Sequence, residues 1–207
     1  MAAVALAALA ALPPPRSGVA GRGAPRLLPV PIISQATPWT CGAASLMAAL
    51  IYFGVFDEPE SRLDAELGAT REQGVHPQRI AAEARAFGLA AEVRTGLTLN
   101  DLAYELARGS LVILDLQAWP AQRTARSEVG WEDGHYVVLV GLDDQRIYAM
   151  DPSVRTGYGY LARDALLRRW HDYDVRDGRP ERNERLGIVL RGRRALRSYP
   201  AEPTPIE

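Results

Sequence analysis

One residue in this chain can act as a soft nucleophile, and its setting favours the reactive form. Cys41 is the single cysteine among 207 residues. It stands where the polar loop Gln35-Ala36-Thr37-Pro38-Trp39-Thr40 runs into an apolar segment that begins Cys41-Gly42-Ala43-Ala44-Ser45. Thr40 is a residue type preferred at a helix N-cap, where its hydroxyl is expected to accept a hydrogen bond from a first-turn N–H. Cys41 would then be the first helical residue, where unpaired N–H groups and the positive end of the helix dipole stabilise a thiolate. A cysteine inside a helix would instead be an inert small hydrophobe. Gln35, six residues upstream, adds a side-chain amide. The chemistry implied is attack on an electrophilic carbon, and it requires a base from elsewhere in the chain.

Three histidines are available. His76 precedes a proline in a loop and His171 follows a short helical pattern, so both read as surface residues. His135 opens His-Tyr-Val-Val-Leu-Val-Gly, which is apolar on both strand faces, and so sits at the rim of a buried strand. If this strand and Arg146–Met150 form a hairpin centred on Asp143, with a three- or five-residue turn, His135 lies opposite Asp151. Directly opposed residues have Cβ atoms about 4.5–5.5 Å apart, within reach of an imidazole–carboxylate hydrogen bond. A carboxylate there would hold the tautomer and stabilise the imidazolium, as in a nucleophile–base–orienter arrangement. Asp151-Pro152 also reads simply as a turn start.

The elements that must position these residues follow from pattern. Leu27 to Ile33 is extended, since Pro29 and Pro31 deny it a helix. Cys41 to Phe53 is apolar on nearly every face and so predicts a buried central helix, stopped by Gly54. Further helices are expected over 57–67, from Pro77 through Phe87, over 98–107 and over 162–170. Strands are expected over 90–94, 111–116, 135–142, 146–150 and 187–190. The connection 117–134 is 18 residues long, which exceeds ordinary loops and favours a functional one. Helices come mainly first and strands mainly later, which predicts α+β with an antiparallel sheet.

Composition narrows the function classes. The formal net charge is −1 and the pI about 6.3, which gives no sign of nucleic-acid binding or of anionic membranes. All 24 basic residues are arginine, so lysine Schiff-base chemistry is excluded. One cysteine makes neither an internal disulfide nor a cysteine-based zinc site, and the histidines lack metalloprotease spacing. No cofactor or metal is implied. Gly157-Tyr158-Gly159-Tyr160 is too short for a nucleotide loop and reads as a turn or cleft wall. The arginines between Arg176 and Arg197 alternate with acids and read as a solvated surface. Trp39, Trp119 and Trp131 are candidates for either cleft wall or core.

The run Met1 to Leu12 is too short to span a bilayer. It fits the core of a signal peptide without its basic start, or a disordered N-terminus. The first reading implies export and the second a cytoplasmic protein. The domains expected are 1–26 outside the fold, 27–192 as one catalytic domain, and 193–207 as a loose tail.

Taken together, Gln35 with Cys41-Gly42-Ala43-Ala44-Ser45, then His135-Tyr136-Val137-Val138-Leu139-Val140-Gly141, then Asp151-Pro152 resembles the C39 family of papain-like cysteine peptidases. The best-known members trim double-glycine leader peptides. The resemblance covers about Leu28 to Leu190 and implies a papain-like α+β fold. It also implies Cys41 as nucleophile, His135 as general base and acid, Asp151 as orienter, and Gln35 with the Cys41 N–H as oxyanion donors. Gln35 alone would also read as a loop cap. Familiar C39 domains are fused to membrane transporters with an ATPase; this sequence has no transmembrane span and no Gly-x4-Gly-Lys motif. The expectation is therefore a stand-alone, cofactor-free peptidase acting on a peptide or protein, with association to a separate exporter as one role. A peptide-binding module without catalysis, and acyl transfer by the same triad, are the competing readings.

Overall fold

The computed structural model describes residues 25–56, 60–118, 131, 133–176, 179–193, 196 and 204–205. Hydrophobicity on every side decides where α1 (Cys41–Tyr52) goes, and ten of its twelve residues are buried. Gly54 stops it as expected. Its φ of +66° lies in the left-handed region that favours glycine, and its N–H donates to the Ile51 carbonyl at 2.9 Å.

The α1 helix packs with α2 (Glu60–Leu67) and α3 (Pro77–Ala86) on one face of a sheet, and the opposite face is covered by α4 (Leu99–Ala107) and α5 (Arg163–Arg169). The sheet order is β1 (Ala90–Arg94), β8 (Gly187–Arg191), β2 (Leu111–Gln117), β3 (Gly134–Leu142), β4 (Arg146–Met150), β5 (Gly159–Ala162) and β9 (Thr204–Pro205). Every pairing in it is antiparallel except β5 with β9. The architecture is the α+β one expected. Alternation along the central strands explains their unbroken apolar sequences. Leu111 and Ile113 of β2, with Tyr136, Val138 and Val140 of β3, belong to the α1 side of the core. Val112, Leu114, Leu116, Val137 and Leu139 belong to the other.

Three sequence expectations need correction. The β3–β4 hairpin is not centred on Asp143. Leu142 faces Ile147 and Val138 faces Met150, with a bulge between Leu139 and Gly141. The Asp143 carboxylate accepts from the Gln145 and Arg146 N–H groups at 2.8 Å and from the Tyr148 hydroxyl at 2.8 Å, which closes a tight turn through Asp144 and Gln145. Second, β6 (His171–Arg176) and β7 (Arg179–Glu184) form a separate antiparallel ribbon where no strand was expected, while Arg179, Arg182 and Arg185 are exposed in keeping with the solvated surface read from the sequence. Third, Gly157-Tyr158-Gly159-Tyr160 is no simple turn. Gly159 begins β5, and the buried Tyr158 hydroxyl donates to the Val30 carbonyl at 2.6 Å, pinning the extended N-terminal segment. The calls on 1–24, on most of 117–134 including Trp119, and on most of 193–207 lie outside the described residues.

Close approach of α1 to β3 depends on Gly42. A Cβ there would stand 3.1–3.2 Å from Ile80 Cδ1, Tyr136 Cδ2 and Val75 Cβ. Ser45 adds a buried hydroxyl donation to the Tyr136 carbonyl at 3.1 Å. Gly42→Val is expected to lower the free energy of unfolding by about 1–3 kcal/mol through overpacking, and Gly42→Ala by less. Urea denaturation of the two variants checks this order.

Candidate active site

The start of α1 differs from expectation in one detail. Thr40 is the N-cap residue but makes no side-chain cap. Its hydroxyl accepts from the Thr37 N–H at 3.0 Å and donates to the Thr37 carbonyl at 3.1 Å, closing the turn before the helix. The first-turn N–H groups at Cys41 are therefore not capped by Thr40. Cys41 is 6% exposed and opens into a cleft of about 700 Å³.

Gln35 is held on both sides. Its backbone N–H donates to the Pro152 carbonyl at 3.0 Å, tying the loop before Cys41 to the chain just after Asp151. Its side-chain Nε2 donates to the Thr37 carbonyl at 2.8 Å. One amide N–H is committed there and the second is not needed for that bond. The Oε1 atom is buried with no hydrogen-bond partner among the described residues.

His135 and Asp151 come together in the interior. Nε2 of the imidazole lies 2.8 Å from Asp151 Oδ1, and both side chains are at most 2% exposed. The hairpin register that was expected would have placed them directly opposite. Continuing the actual register beyond Val138–Met150 puts Asp151 across from Val137, two residues along from His135. A shift of two keeps both side chains on one face, and the imidazole spans the diagonal. The same Oδ1 also accepts from the Ser153 N–H at 2.8 Å and the Ser153 hydroxyl at 2.7 Å. Asp-Pro therefore starts a turn and fixes the carboxylate at once.

The electrostatics follow from this packing. Burial disfavours the imidazolium, but the Asp151 carboxylate and the contact with the Cys41 side chain outweigh it, and the His135 pKa is pushed up to about 10. Burial likewise works against charge on Asp151, yet the His135 partner and the Ser153 donors hold its carboxyl below the usual value. Cys41, His135 and Asp151 thus form one contiguous group. His76 and His171 stay outside it. His76 caps α3, its Nδ1 accepting from the Gln78 N–H at 3.2 Å. The His171 ring packs on Trp131, with centroids 4.5 Å apart.

Trp39 and Trp131, read from the sequence as either cleft wall or core, line the cleft beside Cys41. Residues that sequence reasoning passed over, Tyr136, Asp133, Asp172 and Asp174, line it with them. Behind them Asp115 is 2% exposed, directly opposite Tyr136 in the β2–β3 ladder. Gln117, the last β2 residue, donates to Asp172 Oδ1 at 3.0 Å and to the His171 carbonyl at 3.2 Å, hanging the ribbon on the sheet. The signal for this group was visible: Asp115 interrupts an otherwise apolar strand. No group of His, Cys, Asp and Glu among the described residues could hold a metal ion.

The profile of the family described as "Peptidase_C39 like family" matches residues 27–174. The chain belongs to the C39-like peptidase family. No curated protein matches it significantly. Solved structures agree on the fold. A candidate C39-like peptidase from Bacillus anthracis has a TM-score of 0.62 at 19% identity, over 83% of this chain and 99% of that one. A double glycine motif protease from an AMS/PCAT transporter, in complex with its leader peptide, gives 0.53 at 20% identity, over 82% and 94%. The peptidase domain of Streptococcus ComA, a bifunctional ABC transporter of a quorum-sensing pathway, gives 0.53 at 15%, over 78% and 97%. Among the described residues of this C39-like chain, no helix is long and apolar enough to cross a membrane.

The raised pKa of His135 makes a signed prediction for this family member. A base whose pKa rises on folding contributes stability that is fully present below its unfolded value near 6.5 and is lost as pH rises through about 10. The His135 imidazole is expected to keep its proton to about pH 10, followed by its ring nitrogen NMR shifts. In Asp151→Asn burial dominates, and the same titration is expected to fall below 6.5. A native His135 that titrates near 6.5 would show the pair to be too weak to hold the charge.

Proposed function

We propose that this C39-like chain is a cysteine peptidase that cleaves peptide bonds through a Cys41 acyl-enzyme. The observation that carries the reading is the buried His135–Asp151 pair at 2.8 Å, lying against a Cys41 that faces an open cleft. A peptide-binding surface needs no thiol held against a charged imidazole, so this pair favours catalysis over binding alone. That a protease of like fold was solved with its leader peptide supports a peptide as substrate.

With Nε2 on Asp151, Nδ1 is the nitrogen that holds the proton given up by Cys41, so the resting pair is thiolate and imidazolium. The Sγ thiolate adds to the scissile carbonyl carbon, and the π electrons move to oxygen. The Cys41 backbone N–H and the second amide N–H of Gln35 are the donors proposed for that oxyanion. The imidazolium passes its proton to the leaving amine as the C–N bond breaks, leaving a thioester. Water, deprotonated by His135, then adds to the thioester carbon, and the thiolate leaves with release of the acid. Asp151 keeps the ring oriented and its positive charge compensated throughout.

Iodoacetamide is expected to alkylate Cys41 rapidly near neutral pH, and a diverse peptide library should show cleavage sites by mass spectrometry that vanish in Cys41→Ala. A Cys41 that stays unreactive in the folded protein, or a library left intact by the wild type, would refute the reading. With a cleaved peptide in hand, Gln35→Ala is expected to lower kcat by about 10²–10³ with a smaller change in KM, the scale found for one oxyanion donor.

A further inference from the structure

The acidic side of the cleft has no role in the chemistry above. Asp172 and Asp174 project from β6 into the cleft that holds Cys41. Asp115 lies behind them on the strand face that Tyr136 also presents to the cleft, and its Oδ1 is buried with no hydrogen-bond partner among the described residues. Burial, then the Asp172 and Asp174 charges, raise the Asp115 pKa well above the usual carboxylate value. Burial also pushes Asp172 up to about 6, against donors at Tyr173, Asp115 and Gln117.

Among the described residues, what acts on these acids includes no arginine, in a chain that has 24. The contacts of Asp172 are Asp115, Gln117, the Tyr173 backbone and Asp174. Asp174 is held by Asn183 and sees His76 and Glu181. The guanidinium of Arg182, the residue paired with Tyr173 in the ribbon, instead sits over Trp131 at 4.9 Å. The cleft's own arginines, Arg71 and Arg79, come from the segment between α2 and α3 and the start of α3, and Arg79 is bonded to the Leu67 carbonyl at 3.2 Å. Gly134 keeps the arrangement possible, because a Cβ there would collide with the Asp172 carboxylate. Clustered acids with no guanidinium among their partners, and only the His76 imidazole near Asp174, cost stability. An uncompensated group of this kind, facing a cleft and backed by an unpartnered carboxylate oxygen, is complementary to a cation arriving from outside.

We propose that the β6 side of the cleft is a cation subsite, in which Asp172 and Asp174, backed by Asp115, take the ammonium or guanidinium of a Lys or Arg side chain of the bound peptide near Cys41. The subsite rests on the reading that the cleft takes a peptide. Trp39 and Trp131 supply apolar wall for the methylene stem, and the carboxylates supply the end. The deep acid leans on Asp172, so that one negative charge at least remains beside the incoming cation.

The test uses the Cys41→Ala protein and a positional-scanning peptide library in which each position carries either lysine or norleucine, its uncharged analogue. At one position lysine is expected to bind at least tenfold more tightly than norleucine. That ratio should fall to near one in Cys41→Ala carrying Asp172→Asn and Asp174→Asn together, with Asp174→Asn alone giving an intermediate ratio. Equal binding of the lysine and norleucine peptides at every position would overturn the subsite, as would a lysine preference that survives both substitutions. The outcome is separable from the parent reading. If no peptide of either kind binds, the peptide cleft itself is wrong and the subsite falls with it; if norleucine peptides bind as well as lysine ones, the cleft stands and only the subsite is lost.

Discussion

An imidazole taken out of water keeps a positive charge only when a carboxylate is packed on it, and the rest of this structure is arranged around that constraint. Burial alone would lower the pKa of His135 and leave it neutral. Asp151 at 2.8 Å, with a share from the Cys41 side chain, reverses the sign and carries it to about 10. The carboxylate can do this because Ser153 donates to it twice, so its own charge is stabilised in a site that solvent hardly reaches. Coulomb attraction in such a site is stronger than at a surface, and loss of either partner would strand the other as an uncompensated charge.

Bringing the cysteine to that pair is a packing problem with two solutions acting together. The α1 helix is apolar all round and has to be buried, which drives it onto the β2–β3 face. Gly42 and Ser45 then set how close and in what register it lies, one by lacking a Cβ and the other by bonding the Tyr136 carbonyl. The backbone bond from Gln35 to Pro152 ties the loop before Cys41 to the turn that begins at Asp151. Residues more than a hundred positions apart are thereby fixed relative to one another by backbone, which is stiffer than any side-chain contact.

Much of this was legible in the sequence because it depended on local type and period. The buried helix, its glycine stop, the helix after Thr98 and the apolar central strands follow from pattern, and all are present. The pairing of His135 with Asp151 was legible for a partly different reason than the one used. The hairpin centre was misplaced because Asp143 reads as a turn centre, whereas its carboxylate closes the turn from the first position. The error in register came out even at the strand end, so the two side chains stayed on one face. Thr40 misled in the opposite way: its hydroxyl has a nearer partner in Thr37 than in the helix N–H groups, a competition that residue type alone does not decide.

The β6–β7 ribbon was illegible for a physical reason that bears on its role. β7 carries charged residues on both faces and a proline, Pro180, β6 alternates over only a few residues from Asp172 to Arg176, and the two pair only with each other, so the hydrophobic period that marks them is short. They hold their place through Gln117, which donates both to the His171 carbonyl and to the Asp172 carboxylate, and through the Arg169 Nε donation to the Gln117 carbonyl at 2.6 Å. An element fixed by polar bonds has no need to bury apolar area, and its side chains are free to face the cleft. Selection for stability would replace Asp115, whose burial costs free energy at every pH above the usual carboxylate range, and would pair Asp172 with one of the many arginines. The arrangement retained is the one that leaves negative charge facing the space beside Cys41, where a substrate would lie.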